Sequence, residues 1–135
     1  EDWDRVLDVN LRGAMLLTRL CLPYIVEQPR GAIVYISSIA GKMSFAKGGA
    51  YSASKHAVVG FSGSVFEDVR ESGVKVCAIC PGYVNTDMVG GPRLDRSRMI
   101  QPEDVADAVA WVMAAPDTVC PTEIILRPQR TPYQA

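Results

Sequence analysis

The chain has 135 residues, of which 48% are hydrophobic and 21% are charged, and its formal net charge is −1. This length allows one domain but is short for an α/β enzyme. The charge pattern includes no basic cluster of the kind that binds nucleic acid or an anionic membrane, and no apolar run approaches the ~20 residues of a membrane span. The composition therefore favours neither a nucleic-acid partner nor a membrane partner.

The four cysteines predict buried free thiols in a reducing, cytoplasmic setting. Cys77 and Cys80 form a C-x-x-C pair, a spacing also found in redox and zinc sites. However, the flanking residues predict a strand, on which positions three apart point to opposite faces, whereas a redox pair is expected at a helix start. No signal peptide is visible, but the chain begins within a predicted helix and without an initiator methionine, which is compatible with a missing N-terminus.

The first predicted helix covers residues 2–27 and ends before Pro29 and Gly31. Asn10 is the one strongly polar member of a stripe that recurs in alternating steps of four and three residues, which is typical of a single helix face. The stripe consists of Trp3, Leu7, Asn10, Ala14, Leu17, Cys21 and Tyr24.

A buried strand is predicted at residues 32–37, because the run "AIVYIS" is apolar and rich in β-branched side chains. Ser37, Ser38 and Gly41 follow it in a loop. The second helix is predicted over residues 50–71, with Ser72-Gly73 as its C-cap signal. A stripe of small residues on this helix would permit close packing against a neighbour: Ala53, Ala57, Gly60 and Ser64.

The remaining elements are a strand at residues 74–80, a loop at 83–101, a helix from Pro102 and a short strand at 123–127. The loop is long for a compact domain, which indicates a functional role. Strands that alternate with helices predict an α/β fold with a doubly wound parallel sheet, and we expect the first two helices on the same face of it. Three strands are too few to support such a sheet alone, so the sequence predicts the second half of a larger domain.

The segment "AYSASKHAVVGF" places Tyr51 four residues before Lys55, so both side chains lie on one face of the second helix. A free phenol has a pKa of ~10 and is a poor base near neutrality. A nearby ammonium favours the phenolate, which could then exchange a proton with a substrate oxygen. The spacing alone is a weak signal, since a lone match is more often a surface pair. His56, the one histidine of the sequence, points elsewhere on the helix and is interpreted as structural.

Two further residues strengthen this interpretation. Ser38 follows a buried strand, and ligands of open α/β sheets bind beyond the carboxyl ends of the strands. Its hydroxyl could hydrogen-bond a substrate oxygen, whereas Ser37 could simply make the turn. Asn10 is unfavourable in the middle of a helix and needs a buried partner. It could be a satisfied core amide, or it could open the helix locally and hold a water that relays protons to Lys55.

The chain resembles the carboxyl-terminal half of a short-chain dehydrogenase/reductase with a Rossmann fold. "DVNLRG" resembles the family's N-[VI]-x-G segment, "VYISSIAG" its serine loop, "YSASK" its Y-x-x-x-K motif and "PGYVNTDM" its P-G-x-[VI]-x-T segment. These four motifs occur in the family's order over about residues 1–127. The resemblance implies one partial NAD(P)-binding domain over residues 1–135, in which the loop 83–101 contacts substrate.

The resemblance implies a catalytic tetrad of Asn10, Ser38, Tyr51 and Lys55. Tyr51 would be the acid/base, Ser38 would orient the carbonyl or alcohol, Lys55 would hold the nicotinamide ribose, and Asn10 would support the relay water. The nicotinamide of NAD or NADP would lie against Pro81, Gly82, Val84 and Thr86, and Tyr51 would contact the cofactor together with Lys55. Substrate would meet Ser38, Tyr51, Tyr83 and Met88, with residues 89–98 lining or covering the site.

The family's glycine-rich phosphate-binding turn is absent from the sequence, and so is the residue that selects NAD or NADP. A dinucleotide needs such a turn at a helix N-terminus for its pyrophosphate, so we expect residues 1–135 alone to be inactive. The expected function of the whole protein is hydride transfer between nicotinamide and a carbonyl or alcohol, as a dimer or tetramer. The alternatives are an epimerase or dehydratase of the extended branch, and a non-catalytic interaction module or truncated pseudoenzyme. A glycine turn encoded upstream would favour the enzyme.

Overall fold

The computed structural model describes residues 2–134 as three parallel strands and four α-helices. The helices are α1 (Trp3–Leu7), α2 (Gly13–Ile25), α3 (Gly49–Val69) and α4 (Pro102–Ala114), and a π-helical turn, Asp8–Arg12, joins the first two. The strands are β1 (Ala32–Ile36), β2 (Lys75–Pro81) and β3 (Glu123–Leu126). Short 3₁₀ turns lie at Ile39–Gly41, Arg70–Ser72 and Arg96–Arg98.

The sheet has the order β1-β2-β3, and both pairings are parallel. Ala32 is opposite Lys75 in the first pairing, and Ala78 is opposite Glu123 in the second. The predicted strands are confirmed with shifts of one residue at their ends. β2 is buried along its whole length, as expected for a central parallel strand with layers on both faces.

Helices cover both faces of the sheet. On one face, Tyr35 and Val76 pack against Val58 and Val65 of α3 and against Leu22 of α2. The predicted placement of the first two helical segments on the same face is therefore confirmed. On the other face, α4 packs against β2 and β3, in a cluster of Cys77, Ile79, Ile124, Leu126, Val105, Ala108, Val109 and Val112. The fold is the predicted α/β arrangement.

The first helix differs from its prediction in two ways. It is interrupted by the π-helical turn around Asn10, and the predicted stripe is not the face that contacts the sheet. Trp3 is 68% exposed, Leu17 64% and Tyr24 71%. The helix packs mainly through residues outside the stripe, Leu11, Thr18, Leu22 and Ile25, and Ala14 is the stripe member that joins them. The helical period was predicted correctly, but an apolar stripe wide enough to surround much of the helix does not define which side is inward.

The second predicted helix is confirmed with its C-cap. α3 ends in a 3₁₀ turn, and Gly73 follows in the left-handed conformation with φ 74°. Glycine adopts this conformation without the steric cost that a β-carbon adds. None of the helices within residues 2–134 is long and apolar enough to cross a membrane.

β1 is an edge of the sheet, as expected for the strand that would lose its neighbour in a half domain. Ile36 is 47% exposed, while every residue of β2 is buried. An exposed apolar edge is a template for pairing with another chain. We expect residues 1–135, expressed alone, to self-associate rather than to unfold as a two-state monomer, and sedimentation with two-probe denaturation measures this. Ile36→Lys should reduce the association; a wild-type monomer with coincident, cooperative transitions would contradict the prediction.

Candidate active site

The serine-bearing turn after β1 lies directly against α3. Ser37 is buried, and its hydroxyl donates to the Lys55 carbonyl oxygen over 3.0 Å. A β-carbon at Gly41 would lie 2.7 Å from Ser37 Oγ and 2.8 Å from the Lys55 oxygen, so only glycine allows this approach. The turn and the helix are thereby held together where the strand ends.

Ser38 is free of the structural role that Ser37 has. It caps the 3₁₀ turn Ile39–Gly41, and its Oγ accepts a hydrogen bond of 3.1 Å from the Ala40 N–H. The residue is only partly buried. A hydroxyl that accepts from its own turn still has its proton to donate. Ser38 can therefore donate to a substrate oxygen. Ser37 makes the turn, which is the role that the sequence analysis allowed for it.

Tyr51 and Lys55 are neighbours on the first turns of α3. The Lys55 Nζ lies 5.7 Å from the centroid of the Tyr51 ring and donates a hydrogen bond of 3.1 Å to the Ile36 carbonyl oxygen. Burial lowers the pKa of Lys55 from its ordinary value of 10.5. The ammonium is therefore held at the end of β1, beside the phenol, with two of its three N–H groups without an acceptor among residues 2–134.

Asn10 lies on the π-helical turn and is connected to the tyrosine through Ser54. Its Nδ2 donates to Ser54 Oγ over 3.1 Å, and Ser54 Oγ donates to the Tyr51 carbonyl oxygen over 2.8 Å. Ser54 is fully buried between the two helices. The amide thus has a protein partner, and this partner is Ser54 and not Lys55. The local opening of the helix that the sequence allowed at Asn10 is present as the π-helical turn.

The segment after β2 forms the other wall of the site. Pro81 is the last residue of β2, and the Gly82 N–H donates to the Leu126 carbonyl oxygen over 2.8 Å. Val84 pairs with Ile100 in an isolated parallel bridge. The segment therefore leaves the carboxyl end of the central strand in a fixed direction, next to the end of β1. Thr86 is partly buried and lies further along the same segment.

The sequence profile of the short chain dehydrogenase family matches residues 1–97. The chain belongs to this family. An oxidoreductase of Staphylococcus epidermidis, itself named as uncharacterized, is 31% identical to this chain over 128 residues, which are 95% of the chain and 56% of that protein.

Solved structures show the same relationship. Serine dehydrogenase from Escherichia coli is 36% identical with a TM-score of 0.78, over 93% of this chain and 53% of that one. A closed form of serine dehydrogenase complexed with NADP⁺ is 31% identical with a TM-score of 0.78, over 93% and 55% of the two chains. The chain spans about half the length of the curated relatives it matches. The predicted Rossmann-like fold, limited to a carboxyl-terminal half, is confirmed.

The loop 83–101 is closed at its base rather than open along its length. The Ile100 N–H donates to the Tyr83 carbonyl oxygen over 3.0 Å, and the Asn85 N–H donates to the Ile100 oxygen over 2.8 Å. The tip is exposed, with Met88 84% accessible. The base of the loop is therefore held by backbone hydrogen bonds, and the tip around Met88 is open to solvent.

Tyr83 contacts a residue that the sequence did not indicate. Its hydroxyl is hydrogen-bonded to that of Tyr133, and the rings meet edge to face with centroids 5.6 Å apart. This hydrogen bond, aided by partial burial, raises the pKa of Tyr83. The segment 132–134 also pairs with the loop, because the Asp95 N–H donates to the Pro132 oxygen over 2.8 Å. The chain after β3 therefore holds one side of the loop in place.

Three residues near the site escaped the sequence interpretation, namely Ser54, Phe45 and Tyr133. Ser54 lies three residues after Tyr51, on a helix face whose burial no local pattern showed. The centroids of the Phe45 and Tyr51 rings lie 6.4 Å apart, and the Phe45 side chain is half exposed. Phe45 is a single aromatic residue in a loop, and no sequence pattern marks it as part of a site. The signal for Tyr133 is absent from the sequence, because its partner is fifty residues away.

The C-x-x-C pair takes no part in chemistry at the site. All four cysteines are free thiols, and Cys77 and Cys80 are fully buried. Burial raises the pKa of Cys77 to about 12, and burial likewise raises the pKa of Cys80. A buried thiol with a raised pKa is a poor nucleophile and a poor redox group. The prediction of free thiols is confirmed for all four cysteines, and the prediction of burial holds for Cys77 and Cys80, whereas Cys21 and Cys120 are only partly buried.

Gly41→Ala should lower turnover by roughly tenfold or more, because the serine turn must move away from α3 and small displacements of positioned groups are costly. The new β-carbon would meet the Lys55 backbone, which cannot rotate away. Steady-state kinetics of the full-length protein measure the effect. Gly63→Ala is the matched control, since nothing lies within 4 Å of its β-carbon position. Equal activity of the Gly41→Ala variant and wild type would contradict the proposed contact.

Proposed function

We propose that the full-length protein is an NAD(P)-dependent oxidoreductase that interconverts a carbonyl and an alcohol. The observation that carries this proposal is the placement of the Lys55 ammonium 5.7 Å from the Tyr51 ring, beside the turn that presents Ser38. Residues 1–135 would form one partial domain, and the loop 83–101 would contact the substrate. The nicotinamide cofactor, when bound, supplies or accepts the hydride.

The chain's own residues handle the proton. Ser38 would donate a hydrogen bond to the substrate oxygen and orient the carbonyl toward Tyr51. Tyr51 would give its phenolic proton to that oxygen during reduction, and would take it back during oxidation. Lys55 would stabilise the phenolate that forms, since a nearby cation favours the ionised phenol. Asn10 as the support of a relay water stays a prediction, and its bond to Ser54 is compatible with that role.

The residues present suit the nicotinamide end of a dinucleotide. Lys55 has two N–H groups available for ribose hydroxyls, and the Pro81-Gly82 turn presents backbone beside it. Val84 and Thr86 follow on that same segment. Gly48-Gly49 and Gly90-Gly91 lie in the two strand-to-helix connections, but neither pair directly follows a strand as the family's pyrophosphate-binding turn does, which is why we propose that residues 1–135 alone are inactive. The residues that select NAD or NADP do not belong to this part of the site.

The proposed assembly is a homo-oligomer, a dimer or tetramer. Its support is the outer surface of the first helices, where Trp3, Leu16, Leu17 and Leu20 are exposed. On α3, Gly60 has nothing within 4 Å of its β-carbon position, so the small-residue stripe also faces outward. Large exposed apolar surfaces mark interaction sites. The four unpaired thiols support a cytoplasmic location.

The test is a hydride-transfer assay of the full-length protein. NADH or NADPH labelled with deuterium at the nicotinamide carbon would be incubated with a panel of ketones and aldehydes, and the alcohols analysed by mass spectrometry. Transfer of the label to the carbinol carbon supports the proposal. The competing interpretation, a non-catalytic interaction module, is favoured by absence of both label transfer and nicotinamide binding in a protein that still oligomerises. An epimerase or dehydratase would instead return the label to cofactor or release water.

A further inference from the structure

A cleft on the α4 side of the sheet contains a concentration of arginine side chains. Its volume is about 590 Å³, and it lies between the 3₁₀ turn Arg96–Arg98 and the segment 126–130 that follows β3. Arg98, Arg127 and Arg130 all line it, and Ser38, Tyr51 and Lys55 do not. The cleft is therefore a separate feature that the proposed proton transfer leaves without a role.

The charge of the cleft is unbalanced. Three arginines line it against one acidic residue, Asp104, whose Oδ2 already accepts a hydrogen bond of 2.7 Å from the Gln101 N–H. Arg98 has an ion-pair partner in Asp95, at 3.3 Å. Within residues 2–134, neither Arg127 nor Arg130 forms an ion pair or a side-chain hydrogen bond. Arg127 and Arg130 thus line the cleft with guanidinium donors that have no acceptor among residues 2–134.

Both walls of the cleft are fixed by backbone hydrogen bonds. The Gly82 N–H donates to the Leu126 oxygen over 2.8 Å, which fixes the start of the segment that carries Arg127 and Arg130. On the other wall, the Arg98 N–H donates to the Asp95 oxygen over 3.1 Å, and the Ile100 N–H donates to the Tyr83 oxygen over 3.0 Å. The backbones at Arg98 and next to Arg127 are therefore positioned in advance, which lowers the ordering cost of binding a ligand between the two walls.

We propose that this cleft binds a compact oxyanion, a phosphate or carboxylate group, through Arg127 and Arg130, with Arg98 on the opposite wall. The planar guanidinium fork matches both groups in bidentate geometry, which the point charge of lysine does not. The ligand would bridge the loop 83–101 to the segment after β3. This site goes beyond the proposed function, since phosphate binding requires neither Tyr51 nor hydride transfer.

The test is calorimetric titration of the full-length protein with inorganic phosphate at constant ionic strength. We expect saturable binding that weakens by about tenfold or more in the double variant Arg127→Gln/Arg130→Gln, because two charge-assisted contacts are lost. The variant Arg127→Lys/Arg130→Lys keeps the charge and removes the fork, so its affinity should be intermediate. The matched control, Arg5→Gln/Arg30→Gln, makes the same charge change on exposed residues elsewhere and should bind as wild type does.

Two outcomes would overturn the site: wild type without saturable phosphate binding, or an equal loss of affinity in the control and the cleft variant. Circular dichroism of each variant separates lost binding from lost folding, and the lysine variant keeps the test informative if the glutamine variant misfolds. The titration is repeated with saturating NADP⁺. Displacement of phosphate would identify the oxyanion as a group of the cofactor, and unchanged binding would identify it as a separate ligand.

Discussion

Tyr51→Phe should abolish carbonyl reduction by the full-length protein at every pH. The substitution removes the phenolic oxygen and keeps the ring, so its packing near Phe45, with centroids 6.4 Å apart, is retained. No other side chain positioned beside Lys55 offers a proton to the substrate oxygen in the proposed mechanism. General acid–base catalysis contributes about 10²–10⁴-fold, and turnover should fall by at least that factor.

The measurement is steady-state turnover from about pH 6 to 10 with saturating cofactor, together with cofactor affinity. Cofactor affinity should change much less than turnover, because the main role of the lost hydroxyl is proton transfer and Lys55 remains to hold the ribose. Ser37→Ala is a useful comparison, since it removes a neighbouring hydroxyl whose bond to the Lys55 carbonyl is structural. A Tyr51→Phe enzyme with ordinary carbonyl reduction would refute the mechanism, whatever family the chain belongs to.

Lys55→Met should lower turnover by orders of magnitude near neutral pH and allow partial recovery as the pH rises. Methionine keeps the length of the apolar stem and removes the charge that favours the phenolate. The oxidative direction should recover first, because it releases a proton from the substrate and is therefore favoured as the pH rises. The difference in pH dependence between the Tyr51→Phe and Lys55→Met variants distinguishes the two roles. Tyr51 transfers the proton, whereas Lys55 assists that transfer and binds the ribose.

The Lys55→Met variant also has a signature in stability. Burial lowers the pKa of Lys55, so the folded protein binds fewer protons than the unfolded chain between the lowered value and 10.5. The free energy of unfolding should therefore rise with pH across this window. Below the window, the destabilisation caused by the buried ammonium is fully present. In Lys55→Met this rise should be absent from denaturation curves of the cofactor-free protein. A variant that is inactive and also unfolded at neutral pH would show a structural role instead.

Local sequence was sufficient for the elements and for the central pair of the site. The β-branched runs before Ser37 and Pro81 predicted parallel strands, since burial on both faces requires apolar residues at every position. The four-residue spacing of Tyr51 and Lys55 predicted shared placement on α3, because helix geometry alone brings such residues together. The position of Ser38 after a strand predicted its place at the carboxyl edge of the sheet.

Contacts between distant segments could not be predicted in this way. Asn10 meets Ser54 and not Lys55, because the π-helical turn and the packing of the first helix against α3 decide which side chains come within reach. The same packing leaves Trp3 and Tyr24 exposed, although their spacing matched an apolar stripe. The spacing of apolar residues indicates that a segment is an amphipathic helix. The element that packs against the helix determines which of its faces is buried.

Tertiary structure also determines which of the two adjacent serines, Ser37 or Ser38, is structural. It likewise determines that the arginine cleft forms. Adjacent serines have the same local pattern, and only the approach of Lys55 through Gly41 assigns the buried bond to Ser37. Arg98 and Arg127 are separated by a helix and a strand in sequence. They line one cleft because the Val84–Ile100 bridge and the Gly82–Leu126 hydrogen bond hold both segments against the residues that follow β2. Composition, period and spacing determined the strands, the helices and the Tyr51–Lys55 pair, since these depend on backbone geometry within a few residues. The partners of Asn10, Ser37 and the arginines depend on chain crossings tens of residues apart, which only the folded arrangement specifies.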